Sequence, residues 1–180
     1  MSTPLGHSLM AAAIVPLTGK PAMPAWRLWL FALFAANAPD LDLLAGLPYH
    51  DPNLFHQGPS HSLSFALLFG VLSGMFFRSA RAGMIGLLCY ASHLLLDFFT
   101  YDGRPPYGIP LLWPFSENYW HAPFDLFMGV RHGVPGDSPA ETLSQIFSWH
   151  NVRTLLVEST LLAPLSAASL FLSRRIGRTT

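Results

Sequence analysis

Cysteine occurs once in the 180 residues, at Cys89. No internal disulfide can therefore staple the chain, and no cysteine-based zinc site can form. Charge is scarce too: 11% of residues are Asp, Glu, Lys or Arg, against roughly 25% in soluble domains. The formal net charge is zero, and no basic tract offers a nucleic-acid surface, so no nucleic-acid partner is expected. Met1–Leu17 holds no Lys or Arg, and His7 interrupts it early, unlike the basic start of a cleaved signal peptide. Internal repeats and low-complexity tracts are absent as well.

What fills the chain instead is apolar. Hydrophobic residues make up 51% of it and aromatic residues 13%, with a mean hydropathy of +0.37. At this length the pattern predicts one membrane-embedded domain over 1–180, an all-α polytopic bundle of four to five transmembrane helices. The apolar segments are Leu5–Leu17, Trp26–Ala38 with Leu43–Leu47 as a continuation, His61–Phe77, Ala82–Tyr101 and Val152–Ser173. Ser60 is the expected N-cap of the third helix, and Pro164 is expected to bend the last. A long extracytoplasmic connection covers 102–151, rich in Pro, Gly, Trp and His. Inside it, Ser138-Pro139-Ala140-Glu141 reads as a capping box opening a short amphipathic helix over 139–149. The aromatic stretch Leu111–Phe127 suits an interfacial belt or a lid over the site.

Charge is sorted along these helices. Alternating them across a bilayer puts Lys20, Arg27, Arg78, Arg81, Arg174, Arg175 and Arg178 on one side, and only Arg104, Arg131 and Arg153 on the other. The first side is cytoplasmic by the positive-inside tendency. Every acidic residue and every histidine belongs to the opposite half.

Four segments converge on that outer end: His7; Asn37-Ala38-Pro39-Asp40-Leu41-Asp42; His56-Gln57-Gly58-Pro59-Ser60-His61-Ser62; and His93-Leu94-Leu95-Leu96-Asp97. His93 and Asp97 lie four residues apart, so they share one helix face. An ionisable pair in a membrane-length helix is costly unless partnered. Singly, each residue has an ordinary explanation: a satisfied histidine, a Pro-Asp turn, a packed carboxylate for Glu158. Jointly they offer four imidazoles and four carboxylates at similar depth. Nitrogen and oxygen donors without thiolate suit a divalent cation, Zn²⁺ first, with Mn²⁺ or Fe²⁺ as alternatives. The donors are numerous enough for two or more ions. His50, His121, His132 and His150 lie in loops and are expected to be solvated.

The motifs Gly6-His7-Ser8, Pro39-Asp40-Leu41-Asp42, His56 to Ser62, His93 to Gly103, and Pro114-Phe115-Ser116 together resemble the YdjM-like family. Its members are bacterial inner-membrane proteins described as membrane-bound metal-dependent hydrolases. The resemblance covers residues 5 to about 116, with Gln57-Gly58-Pro59 replacing the basic residue usual between the paired histidines. It implies a multi-pass protein of the inner membrane, with the site facing the periplasm. A more distant similarity to the zinc-dependent phospholipase C and P1 nuclease group points toward phosphoester cleavage.

The expected function is a metal-dependent hydrolase using metal-activated water on a phosphoester or lipid-linked substrate at the outer membrane surface. His7, His56, His61 and His93 are the candidate nitrogen ligands. Asp97 is the candidate bridging carboxylate, and Asp40 or Asp42 completes one ion. Asp42 or Glu158 is the candidate general base, and Ser62, Thr100 and Ser116 are candidate supporting hydrogen-bonders. The bilayer is the expected partner; oligomeric state is open. The alternatives are a non-enzymatic protein that binds or passes divalent cations or protons, and a ceramidase-like lipid amidase. A structural hydrogen-bond network is the plainest alternative of all.

Overall fold

Among the described residues seven α-helices form: α1 (Pro4–Ile14), α2 (Ala25–Asn37), α3 (Asp42–Gly46), α4 (Leu63–Phe76), α5 (Ala80–Phe98), α6 (Pro139–Ile146) and α7 (Trp149–Ile176). These come from a computed structural model that describes all residues except Lys20, His50, Pro52, Arg104, Val134, Pro135 and 177–180. The solvated assignment of His50, and the side assignments of Lys20, Arg104 and Arg178, lie outside the described residues. The all-α expectation holds among the described residues: no strand forms, and only isolated bridges pair Thr100 with Phe127 and Ile109 with Trp120.

Hydroxyl caps start four of the helices. Thr3, Ser62, Ser79 and Ser138 each accept a backbone N–H from the first turn of α1, α4, α5 and α6. Ser138 and Glu141 complete the capping box. One boundary differs from expectation. Pro59–His61 forms a short 3₁₀ turn, so the cap of α4 falls on Ser62 and not on Ser60. The Ser60 hydroxyl donates to Asp42 Oδ2 instead. Also, α7 begins at Trp149 and contains Pro164 in its interior without ending there.

The packing is inside-out relative to a soluble bundle. Ala11, Ala32, Ala35, Ala36, Ala66, Ala82 and Cys89 are buried, whereas Leu30, Phe34, Leu67, Leu72, Leu156 and Leu165 are exposed. Small residues let helix backbones approach closely, the device of helix association in lipid. At the α4–α5 contact, a Cβ on Gly70 would lie 2.7 Å from Leu87 Cβ. On the other flank, Ser166 and Ser169 of α7 donate to the Leu9 and Ala13 carbonyls of α1. α5 is the central helix, touching α1, α2 and α4, while α7 packs on α1.

Among the described residues two helical stretches, Ala25–Tyr49 and Pro139–Arg175, have the length and apolarity to cross a bilayer; Pro4–Leu17 and Leu63–Phe76 are apolar but shorter. α5 is not among the two. Its 19 residues rise about 28 Å, but Arg81, His93 and Asp97 dilute its apolar content.

Candidate metal centre

Each site residue sits where a helix starts or stops at one end of the bundle. His7 is in the first turns of α1. Asp40 lies in the 3₁₀ turn that follows α2, Asp42 opens α3, His61 ends the turn before α4, and His93 and Asp97 occupy the last turns of α5. His7, His61 and His93 are fully buried, and Asp97 is 2% exposed.

Four donor atoms from these elements meet. His61 Nε2 is 3.2 Å from His93 Nε2, 3.5 Å from Asp40 Oδ1 and 3.5 Å from Asp97 Oδ2. His93 Nε2 is 3.3 Å from Asp40 Oδ1 and 3.2 Å from Asp97 Oδ2. Five of the six edges of this group are therefore 3.2–3.5 Å. Donors placed tetrahedrally at zinc–nitrogen and zinc–oxygen bond lengths of about 2.0–2.1 Å are about 3.3 Å apart.

The ring orientations are set from behind. His93 Nδ1 donates to the Ala36 carbonyl at 2.8 Å, which fixes Nδ1 as the protonated nitrogen and turns Nε2 to the cluster. His61 Nδ1 faces Asp42 Oδ2 at 3.2 Å. Asp97 Oδ1 accepts the Ser2 N–H at 2.8 Å, leaving Oδ2 for the cluster. A carboxylate or carbonyl behind each imidazole is the arrangement that orients metal-ligating histidines.

Several buried atoms in this group lack a hydrogen bond: both ring nitrogens of His7, both carboxylate oxygens of Asp40, Asp97 Oδ2 and His56 Nε2. Buried polar groups are seldom left so. The His7 ring stacks on His93 with centroids 3.7 Å apart, and its Nε2 is 3.7 Å from Asp97 Oδ1. His61 Nε2 and His93 Nε2 face the Asp40 and Asp97 carboxylates across 3.2–3.5 Å, and that negative charge beside two ring nitrogens favours a cation between them.

A second group, Asp42, His56 and His61, is also compact, but it is differently bonded. Asp42 Oδ1 takes His56 Nδ1 at 2.8 Å, and Oδ2 takes the Ser60 hydroxyl at 2.7 Å. Asp42 is thus hydrogen-bonded to one imidazole, His56, and faces a second, His61, at 3.2 Å.

The other expected site residues lie around this core. Glu158 is fully buried, but its carboxylate accepts the Thr3 N–H and hydroxyl at the N-terminus of α1. It anchors the segment whose Ser2 N–H holds Asp97. Gly6 makes room for it, since a Cβ there would collide with the Glu158 carboxylate. Thr100 shares a 2.7 Å hydrogen bond with the Ser2 hydroxyl. Ser62 donates to the Pro59 carbonyl while capping α4, and Ser116 accepts the Asn118 N–H in an exposed loop. Neither touches the four donors. His121 is bonded to the Thr100 carbonyl and His150 to the Gly129 carbonyl, so these two are tied to the fold and not merely solvated. Residues that the motifs did not single out are Ser2, Thr3, Ala36 and Tyr90, whose hydroxyl donates to the Ser60 carbonyl. Three of the four act through backbone groups, which no side-chain pattern announces.

Over residues 1–176 the sequence matches the model of the family described as YdjM inner membrane protein. The chain belongs to the YdjM family. No curated protein and no solved structure matches it. YdjM membership makes this an inner-membrane protein and accounts for the Leu- and Phe-covered exterior of a bundle whose interior is rich in alanine and serine.

Proposed function

We propose that this is a multi-pass membrane protein of four to five spans whose buried cluster binds a divalent cation and hydrolyses a phosphoester or lipid-linked substrate. The observation that carries the proposal is the meeting of Asp40 Oδ1, His61 Nε2, His93 Nε2 and Asp97 Oδ2, five of whose six separations are 3.2–3.5 Å. Zn²⁺ suits this two-nitrogen, two-oxygen set best, with Mn²⁺ and Fe²⁺ next. A second ion at Asp42, His56 and His61 would have to displace the 2.8 Å Asp42–His56 bond.

Bound there, a divalent cation supplies Lewis-acid polarisation of a phosphoryl or acyl oxygen and lowers the pKa of water to about 7. The chain's own residues do the rest. Asp42 orients His61 and couples it to His56. Ser2 and Ala36 orient Asp97 and His93. His7, stacked on His93 and with no hydrogen bond at either ring nitrogen, is placed to hold a water or a substrate oxygen.

A lipid substrate is supported by a groove of about 370 Å³ between α2 and α4. Phe34, Leu41, Phe65, Leu68 and Leu72 line it, and its inner end reaches Asp42 and Ser60. The orientation proposed, with the site at the periplasmic end, rests on Arg27, Arg78, Arg81, Arg174 and Arg175 lying toward the other end.

The test is turnover by zinc-loaded protein on a lipid phosphomonoester, with an aryl phosphate and a ceramide as controls. Chelation should abolish hydrolysis, zinc should restore it, and His93→Ala should have none. Hydrolysis of the ceramide alone would move the activity to the amidase class. A fully metallated protein that cleaves none of the three would overturn the hydrolase proposal.

A further inference from the structure

Beside the metal centre lies a cavity of about 700 Å³ that none of the site chemistry so far uses. Binding pockets for small ligands commonly measure roughly 300–1,000 Å³. One wall is the loop from Asn53 to Pro59; the other is made by Tyr101, Asp102, Gly103, Pro105 and Pro106 with Met128 to His132, and Gln145 and His150 also line the cavity. The cavity adjoins the cluster at two points. His56 is in its wall and is bonded to Asp42, which faces His61. Met1 is also in its wall, and the next residue, Ser2, gives its N–H to Asp97.

Its polar lining holds one guanidinium and three imidazoles against one carboxylate. Arg131 and the imidazoles of His56, His132 and His150 are there; Asp102 is the one carboxylate among the described lining residues, and it accepts the Gly108 N–H at 2.8 Å. The backbone under Arg131 is held unusually firmly for an irregular segment. Asn151, 6% exposed, accepts the Arg131 N–H at 2.8 Å and donates to the Arg131 carbonyl at 2.7 Å. The neighbouring Val130 N–H bonds the Met1 carbonyl at 3.1 Å, and the Gly129 carbonyl accepts from both His150 and Thr154. The Arg131 side chain itself is exposed. A guanidinium on a pinned backbone has lost part of its ordering cost in advance, and its planar fork matches phosphate oxygens in pairs.

We propose that this cavity is a phosphate-binding site in which Arg131 holds a phosphate group, carried by a lipid headgroup or free, beside the metal cluster, with Asn151 as the residue that positions Arg131. The proposal deepens the hydrolase reading and rests on it only for what happens to the ligand afterwards. Binding through Arg131 needs no metal.

The test uses the full chain in phosphatidylcholine nanodiscs, with radiolabelled inorganic phosphate in equilibrium dialysis. Discs doped with phosphatidic acid serve as competitor. Wild type and the metal-site variant His93→Ala should both bind phosphate. Arg131→Ala should bind about 10- to 100-fold more weakly, the range for losing charge-assisted hydrogen bonds. Arg131→Lys, which keeps the charge and loses the fork, should fall between, and Asn151→Ala should weaken binding with residue 131 unchanged. Displacement by phosphatidic acid at lower concentration than unlabelled phosphate would identify a lipid headgroup as the source; equal potency would identify free phosphate. Phosphate binding that vanishes in His93→Ala and persists in Arg131→Ala would overturn the proposal while leaving the metal site intact. No binding of either probe to wild type would overturn it as well. Absence of turnover with binding intact would count against the hydrolase reading alone.

Discussion

Asp40 and Asp42 sit two residues apart at the same helix end, yet their oxygens are used in opposite ways. Both oxygens of Asp40 lack a hydrogen bond, and Oδ1 faces two histidine nitrogens. Both oxygens of Asp42 are engaged, one with His56 and one with Ser60. Residue type and sequence neighbourhood are nearly the same, so the difference comes from what the fold brings opposite each. The turn at Ala38–Leu41 points Asp40 at α5, whereas Asp42 points at the loop before α4. A carboxylate with nothing to accept from is placed for a cation; a carboxylate already saturated is placed to orient its neighbours. On the proposed metal-binding reading, that contrast separates a group that would hold the ion from one that would support it, within a single turn.

The contrast breaks most visibly at the donors. Asp40→Asn and His93→Ala should each leave purified protein without stoichiometric zinc, measured by elemental analysis, with helix content retained by circular dichroism. Asp42→Asn should still load zinc but bind it about 10- to 100-fold more weakly, the usual cost of removing an orienting partner. A competitive chelator titration reads that shift. Proton competition should come next. Imidazole nitrogens bind a metal only when deprotonated, so protons compete with zinc at His61 and His93, and zinc affinity should fall as the solution is made acidic. The smallest effect belongs to Ser60→Ala, which removes one hydroxyl hydrogen bond to Asp42 while leaving its bond with His56. It should weaken zinc binding by a factor of about 2 to 10.

Much of the fold is legible in the chain because it is local. The Ser138 box, the apolar runs and the four-residue step from His93 to Asp97 are encoded in neighbouring residues. The sorting of Asp, Glu and His away from most arginines is legible too, since helices that alternate bring their matching ends together. The site's finer division of labour is not. Asp40 and Asp42 carry equal weight as letters, and only the packing of α2 against α5 distinguishes them. The tautomer of His93 depends on the Ala36 carbonyl, a backbone group that every residue possesses. Ser2 and Thr3 act through N–H groups as well. Glu158 looks like one more site carboxylate, but its partner is the start of α1, fixed by a contact across the whole length of the chain. Ser60 has the properties of a helix cap, and the 3₁₀ turn after Pro59 frees its hydroxyl for Asp42. The cavity carrying Arg131 is built from a stretch with no periodicity, so no sequence pattern marks its walls.

The most direct measurement is the zinc-to-protein ratio of wild type, Asp40→Asn and Asp42→Asn at saturating zinc, after removal of loosely held metal. The account predicts one ion held by wild type and by Asp42→Asn, and close to none by Asp40→Asn. Full occupancy in Asp40→Asn, or a wild-type protein that retains no metal, would contradict it.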